Sequence, residues 1–82
     1  MKARFTLISR GYCHLCGEMH DELLVLLAGR SIEVSVVDVD ADAELLALYD
    51  EEVPVLLTDS GQKLCNFVLD AAKVLKYLQA FD

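Results

Sequence analysis

Two cysteines separated by two residues are the side chains of this sequence best suited to chemistry. Cys13 and Cys16 lie where an apolar, strand-like stretch gives way to a helical pattern. A thiol at the start of a helix faces unpaired backbone N–H groups and the positive end of the helix dipole. Both favour the thiolate, which is the nucleophile in thiol–disulfide exchange. The second cysteine can then displace a partner held as a mixed disulfide, so the pair predicts a redox-active dithiol.

The length and composition predict one small domain over residues 1–82. Hydrophobic residues make up 55% of the chain, which allows a dense core, and three cysteines are too few for a secreted disulfide framework. The first residues lead directly into the first strand, so we expect no secretory leader. No apolar stretch approaches the roughly 18–20 residues that span a membrane. We therefore expect a cytoplasmic protein.

The net charge of −7 bears on the partners of the protein. Nucleic acids and anionic membranes both attract basic surfaces, so we expect neither as a partner. No segment has the pattern of an interface between copies of the chain, and we expect a monomer.

The periodicity of apolar residues predicts the element order β-α-β-α-β-β-α. The first helix covers about residues 13–28, and the last follows Asp70 as its N-cap. Between them, a β-branched strand precedes a short helix capped by Asp40 or Asp42. A strand over 53–58 and its hairpin partner over 63–68 follow. The apolar faces predicted for the first and last helices consist of Leu15, Met19, Leu23, Leu26 and Leu27, and of Ala71, Val74, Leu75, Leu78 and Phe81.

This order, with Cys13-His14-Leu15-Cys16 after the first strand and Val53-Pro54 before the third, resembles the thioredoxin superfamily. The sequence is most similar to small glutaredoxin-like proteins. The resemblance covers essentially the whole chain. It implies an α/β, three-layer fold in which three helices flank a four-stranded mixed sheet. It also implies that Cys13 is the exposed nucleophile and Cys16 the more buried resolving thiol.

The resemblance places Arg10, Val53 and Pro54 at the site, and position next to the cysteines adds Tyr12 and His14. It implies a cis peptide bond before Pro54, beside the cysteines, which lets the Val53 backbone pair with an extended substrate. Arg10 stands where glutaredoxins carry a basic residue, and it can support the thiolate or bind a substrate carboxylate. Tyr12 can shield the nucleophile or contact substrate. A positive charge on His14 would favour the Cys13 thiolate.

The expected activity is reduction of disulfides in proteins or small molecules, with a reductase or glutathione as electron donor. We expect no bound cofactor. Glutathione is a candidate reductant, but the Gly-Gly pair that helps glutaredoxins hold it is missing, and Glu51 and Glu52 disfavour an anionic ligand near Pro54.

Two other functions remain open at this point. Cys13, Cys16 and Cys65, with His14 or His20, could supply soft metal ligands, although structural zinc usually takes two paired clusters. A thioredoxin-like binding module without turnover would have the same fold, because fold alone does not determine function. Cys65 itself reads as a buried structural cysteine or as a third redox thiol.

Overall fold

In the part of the chain that the structure describes, four short strands form the sheet and three helices pack against it. The computed structural model describes residues 3–81. In chain order the elements are β1 (Arg4–Ser9), α1 (His14–Leu26), β2 (Glu33–Asp38), α2 (Ala43–Tyr49), β3 (Val55–Thr58), β4 (Lys63–Asn66) and α3 (Ala71–Leu78), with 3-10 turns at Val39–Ala41 and Gln79–Phe81. The predicted element order is confirmed. The third and fourth strands are shorter than the predicted ranges of 53–58 and 63–68.

The strands lie in the order β2-β1-β3-β4. Strands β1 and β2 are parallel because α1 crosses over between them, whereas β1–β3 and β3–β4 are antiparallel. The β3–β4 hairpin turns at Gly61, whose φ of 88° lies in the left-handed region that glycine adopts without steric cost. The central strands β1 and β3 place the carboxyl end of β1 beside the start of β3, since Ile8 pairs with Val55.

Side chains alternate across the sheet and form a core on each face. Helices α1 and α3 cover the larger core, and α2 covers the smaller one. The larger core contains Ala3, Phe5, Leu7, Met19, Leu23, Leu27, Leu56, Leu64, Val74 and Leu78. The smaller core contains Ile8, Val39, Val55 and Leu57, with Leu45, Leu46 and Tyr49 packed against it.

The buried faces of α1 and α3 differ in part from those predicted. Leu15 is 40% exposed, and Cys16 takes the buried position instead, one turn before Met19. The helix begins at His14, so Cys16, Met19 and Leu23 follow the i, i+3, i+7 spacing of the face turned to the sheet. In α3, Val74 and Leu78 are buried, whereas Ala71 and Leu75 are exposed. The side chain of Phe81 lies outside the described part of the chain.

Aspartate side chains cap α2, α3 and the first 3-10 turn. Asp42 accepts hydrogen bonds from the backbone N–H groups of Glu44 (2.9 Å) and Leu45 (3.2 Å) through its Oδ1, and this starts α2. Asp38 caps the preceding 3-10 turn, and Asp70 accepts from Lys73 N (3.1 Å) at the start of α3. Each cap satisfies donors that a helix start leaves unpaired.

Removing the Asp42 cap is expected to destabilise the protein modestly. Asp42→Ala should lower the free energy of unfolding by about 1 kcal/mol, because two donors of a seven-residue helix lose their acceptor. Urea denaturation followed by circular dichroism measures this loss. Asp42→Asn is the matched control, since asparagine caps about as well. Equal losses in both variants would contradict the role of the cap.

Within the described residues, no helix is both long and apolar enough to cross a bilayer.

Candidate functional site

A Cys13–Cys16 disulfide lies at the first turn of α1. The two Cα atoms are 5.2 Å apart, within the usual range for a disulfide. Cys13 is the N-cap of the helix, and its Sγ accepts a hydrogen bond from the backbone N–H of Cys16 at 3.1 Å. The next N–H, that of Gly17, donates to the Cys13 carbonyl oxygen at 3.3 Å. The helix start therefore directs an N–H group at the Cys13 sulfur.

The two cysteines differ in their access to solvent. Cys13 is half-buried, whereas only 4% of Cys16 is exposed, on the same helix face as the core residue Met19. A reactant from solution therefore reaches Cys13 first. In the reduced state the N–H that now meets Cys13 Sγ would stabilise a thiolate there, because a charged acceptor strengthens the hydrogen bond.

Pro54 lies at the end of the sheet where β1 finishes and β3 begins, which is also the end that carries the disulfide. The Val53–Pro54 peptide bond is cis. Pro54 is buried and directly precedes β3, whose Val55 pairs with Ile8 near the end of β1. Its carbonyl oxygen accepts a hydrogen bond from Phe67 N at 2.9 Å. The backbone on this side of the site is thus fixed by a contact between the loop before β3 and the end of β4.

Two exposed aromatic residues, Tyr12 and Phe67, flank this region in strained backbone conformations. Tyr12 has a φ of 63° and a fully exposed side chain, and Phe67 has a φ of 65° and is 46% exposed. Bulky residues rarely adopt positive φ, and such strain concentrates at functional sites. The sequence indicated Tyr12 by its place before Cys13. It gave no signal for Phe67, because positive φ ordinarily points to glycine.

Arg10 is engaged by two carboxylates that lie far from it in sequence. Its Nε and Nη2 donate to the two oxygens of Asp40 at 2.9 and 3.1 Å. Nη2 also binds the Asp50 carboxylate, and Nη1 donates to the Asp50 carbonyl oxygen at 3.2 Å. The hydrogen bonds that the guanidinium donates to Asp40, and then those to Asp50, raise its pKa above the usual range. The residue therefore ties the end of β1 to both ends of the α2 region, with most of its donors occupied.

His14 begins α1 with its side chain turned to solvent. Its Nε2 lies 2.9 Å from Oε1 of Glu18, one helical turn later. The imidazole is 88% exposed, so solvent screens its interactions strongly. The carboxylate of Glu18 therefore offsets the electrostatic effect that a positive charge on His14 would have on the cysteines.

An open depression of about 630 Å³ brings several of the sequence-predicted residues together. Arg10, Tyr12, Cys13, His14 and Cys16 line it, whereas Val53 and Pro54 lie outside its lining. His20, which the sequence offered only as a possible metal ligand, lines it too, and the sequence did not indicate the remaining lining residues, which are Leu7, Ser9, Gly17 and Val36. Their types carry no motif, and only the packing of α1 beside β1 and β2 brings them to the disulfide.

Cys65 is a free, half-buried cysteine on β4. It pairs with Leu56 in the sheet and packs against the larger core. Burial raises the pKa of its thiol. Among residues 3–81, no group of three or more His, Cys, Asp or Glu side chains is arranged to hold a metal ion.

Comparison with known proteins agrees with this geometry. The model of the glutaredoxin-like domain family (DUF836) matches residues 4–79. The solution structure of protein Ne2328 from Nitrosomonas europaea is 33% identical, with a TM-score of 0.83, and the match covers 92% of this chain and 89% of that one. The crystal structure of protein XcR50 from X. campestris is also 33% identical, with a TM-score of 0.67 and coverage of 93% and 96%.

A more distant likeness extends to thioredoxin 1 from Thermosipho africanus, which is 16% identical with a TM-score of 0.64 over 95% of this chain and 97% of that one. At that identity the likeness shows the fold alone. No curated protein matches the chain. The family match and the disulfide at the start of α1 support a redox-type function. The chain has the thioredoxin fold and belongs to the glutaredoxin-like domain family.

Proposed function

We propose that the protein is a thiol–disulfide oxidoreductase that passes two electrons from the Cys13–Cys16 dithiol to a disulfide of a protein or small molecule. The observation that carries this proposal is the disulfide at the N-cap of α1, with one sulfur accessible and the other buried. Accessibility makes Cys13 the attacking residue, and burial one turn later makes Cys16 the resolving residue.

Each step balances in atoms and electrons. The Cys13 thiolate attacks one sulfur of the substrate disulfide, so that a Cys13–substrate S–S bond forms as the substrate S–S bond breaks. The departing thiolate takes up a proton. Cys16 then loses its proton to solvent and attacks Cys13 Sγ as a thiolate, so that the Cys13–substrate S–S bond breaks and the second substrate sulfur leaves as a thiolate, which takes up a proton from solvent. The substrate has gained two electrons and two protons, and the protein carries the disulfide seen in the structure.

A further thiol must return the protein to its dithiol form. We propose that a low-molecular-weight thiol such as glutathione, or the dithiol of a reductase, supplies these two electrons in the cytoplasm. The chain needs no cofactor for this exchange, and it would act as a monomer.

The surroundings of the disulfide support roles for the remaining site residues. Val53, next to the buried Pro54, would pair through its backbone with an extended substrate. Tyr12 would contact that substrate from its exposed position before Cys13. Asp40 and Asp50 accept most of the hydrogen bonds that Arg10 can donate. Its proposed contribution is therefore to hold the loop before Cys13 in place rather than to bind a carboxylate of the substrate. A positive charge on His14 would favour the Cys13 thiolate.

The test measures how many substrate thiols each molecule of reduced protein produces. Fully reduced protein, freed of reductant, is mixed with a disulfide-containing protein such as insulin, and new thiols in the substrate are counted. We expect two substrate thiols per molecule of protein, and peptide mapping should find the regenerated disulfide between Cys13 and Cys16. Cys65→Ser should give the same count. If no substrate thiols appear, the fold serves binding without turnover. A disulfide that involves Cys65 would contradict the assignment of the dithiol.

A further inference from the structure

The depression beside the disulfide continues past the two sulfurs toward β2, which is one of the two edge strands among the described residues. On this side Leu7, Gly17, His20 and Val36 line it. Val36 is 54% exposed although it belongs to a β-strand next to β1. Gly17 leaves a gap in the wall formed by α1, because a Cβ placed there would meet no heavy atom within 4 Å. The space is therefore open, next to the reactive sulfur and bounded largely by apolar or small groups.

The lining offers little to an anionic ligand. Arg10 is the only lysine or arginine among the lining residues, and two carboxylates and a carbonyl oxygen hold its guanidinium. His14, at the same rim, lies against Glu18. Glutathione carries carboxylates that would need a free cation here. An uncharged apolar group has no such requirement, and it gains by covering Val36.

We infer that this depression is a substrate subsite that takes an apolar side chain next to the cysteine that Cys13 attacks. The inference rests on the proposed function and names its substrate class, a protein or peptide disulfide with an apolar flanking residue. Consecutive Cα atoms are about 3.8 Å apart, so a residue adjacent to the bound cysteine lies within reach of the depression. The side chain would insert between Gly17 on α1 and Val36 on β2.

The experiment compares three peptide disulfides that differ only in the residue next to the cysteine, which is leucine, glycine or glutamate. With the wild-type protein we expect kcat/KM for the leucine peptide to exceed that for the glycine peptide about tenfold, as a modest apolar pocket allows. The glutamate peptide should be no faster than the glycine peptide, because Arg10, the one lysine or arginine among the described lining residues, is already held by Asp40 and Asp50.

Substitutions at Gly17 on α1 and Val36 on β2, which form the two walls of the depression, test where the preference for the leucine peptide arises. Gly17→Leu fills the gap and should reduce the leucine-to-glycine ratio to about one, while Gly17→Ala should retain most of it. Both replace glycine inside a helix with a better helix former, so the fold is expected to survive. Val36→Thr keeps the shape of the opposite wall but adds a hydroxyl, and should reduce the ratio by a few-fold. Glu22→Leu, on the exposed surface of α1 outside the depression, is the matched control and should leave the ratio unchanged.

Each outcome decides the proposal. A wild-type protein that reduces all three peptides at equal rates overturns the subsite and leaves the oxidoreductase function standing. Preservation of the ratio in Gly17→Leu, or its loss in Glu22→Leu, overturns the location. A glutamate peptide that reacts fastest overturns the apolar assignment. If the wild-type protein reduces none of the peptides, both the subsite and the proposed function fail.

Discussion

Replacing Cys13 by serine is expected to abolish disulfide reduction, with turnover falling by at least about a thousandfold, as is usual for loss of a nucleophile. Serine preserves the size of the N-cap and can still accept the Cys16 N–H, so the helix start should remain. Its hydroxyl does not ionise at neutral pH and cannot form a mixed disulfide. The buried Cys16 cannot take over the attack, because only 4% of it is exposed.

Cys16→Ser should instead stop the reaction after its first step. The accessible Cys13 still attacks, but no second thiol resolves the complex, so a mixed disulfide with the substrate should accumulate. Non-reducing electrophoresis and mass mapping should locate it at Cys13, and Cys65→Ser should turn over like the wild-type protein. Accumulation of the complex in Cys13→Ser, rather than in Cys16→Ser, would reverse the two roles.

Truncation of Leu56 is expected to cause a large loss of stability. Leu56 is fully buried at the centre of β3, in the core between the sheet and helices α1 and α3. Leu56→Ala should lower the free energy of unfolding by about 3 kcal/mol, through lost hydrophobic transfer and the cavity left behind. Domains of this kind have only about 5–15 kcal/mol in total. The melting temperature should therefore fall by more than about 10 °C.

Urea and thermal denaturation of the oxidised protein measure this loss. Leu48→Ala is the matched control, because Leu48 is 63% exposed on α2 and its truncation should change stability by less than about 0.5 kcal/mol. Similar losses in the two variants would contradict the placement of the core.

Local patterns were sufficient to predict the element order and the position of the cysteines. The alternation of Val34 and Val36 with polar residues indicates an extended segment, and Asp70 marks the start of the last helix, whereas for α2 the sequence left Asp40 and Asp42 open and the structure has Asp42 as the cap. These signals act over a few residues, so the sequence alone carries them. The position of Cys13 at the start of a helix follows from them, and with it the expectation of a reactive thiol, whereas its exact place as the N-cap came from the structure.

Interactions between distant segments were not predictable in the same way. Arg10 meets Asp40 and Asp50, which are thirty and forty residues away, and nothing in the sequence selects these two from fourteen acidic residues. The partners change its role, because a guanidinium held by two carboxylates has few donors left for a substrate.

Which residues form the surface around the disulfide was also not predictable from the sequence. The alternating pattern of β2 gives no sign that Val36 differs from Val34. In the structure, however, Val36 is exposed on the edge strand β2 and lines the depression. Phe67 occupies a backbone conformation that sequence rules assign to glycine. Such features arise from tertiary packing, which overrides local preference where elements end.

The most direct test of a nucleophilic Cys13 is the pH profile of alkylation of the fully reduced protein, with mass mapping of each cysteine. The N–H groups at the start of α1 should stabilise the Cys13 thiolate, so we expect Cys13 to react selectively below pH 7. Cys16 should lag because it is buried. Cys65 should react only at higher pH, because burial raises the pKa of its thiol and so lowers its thiolate fraction at any given pH. A Cys13 that titrates at the ordinary thiol value of about 8.5 would contradict the activated nucleophile.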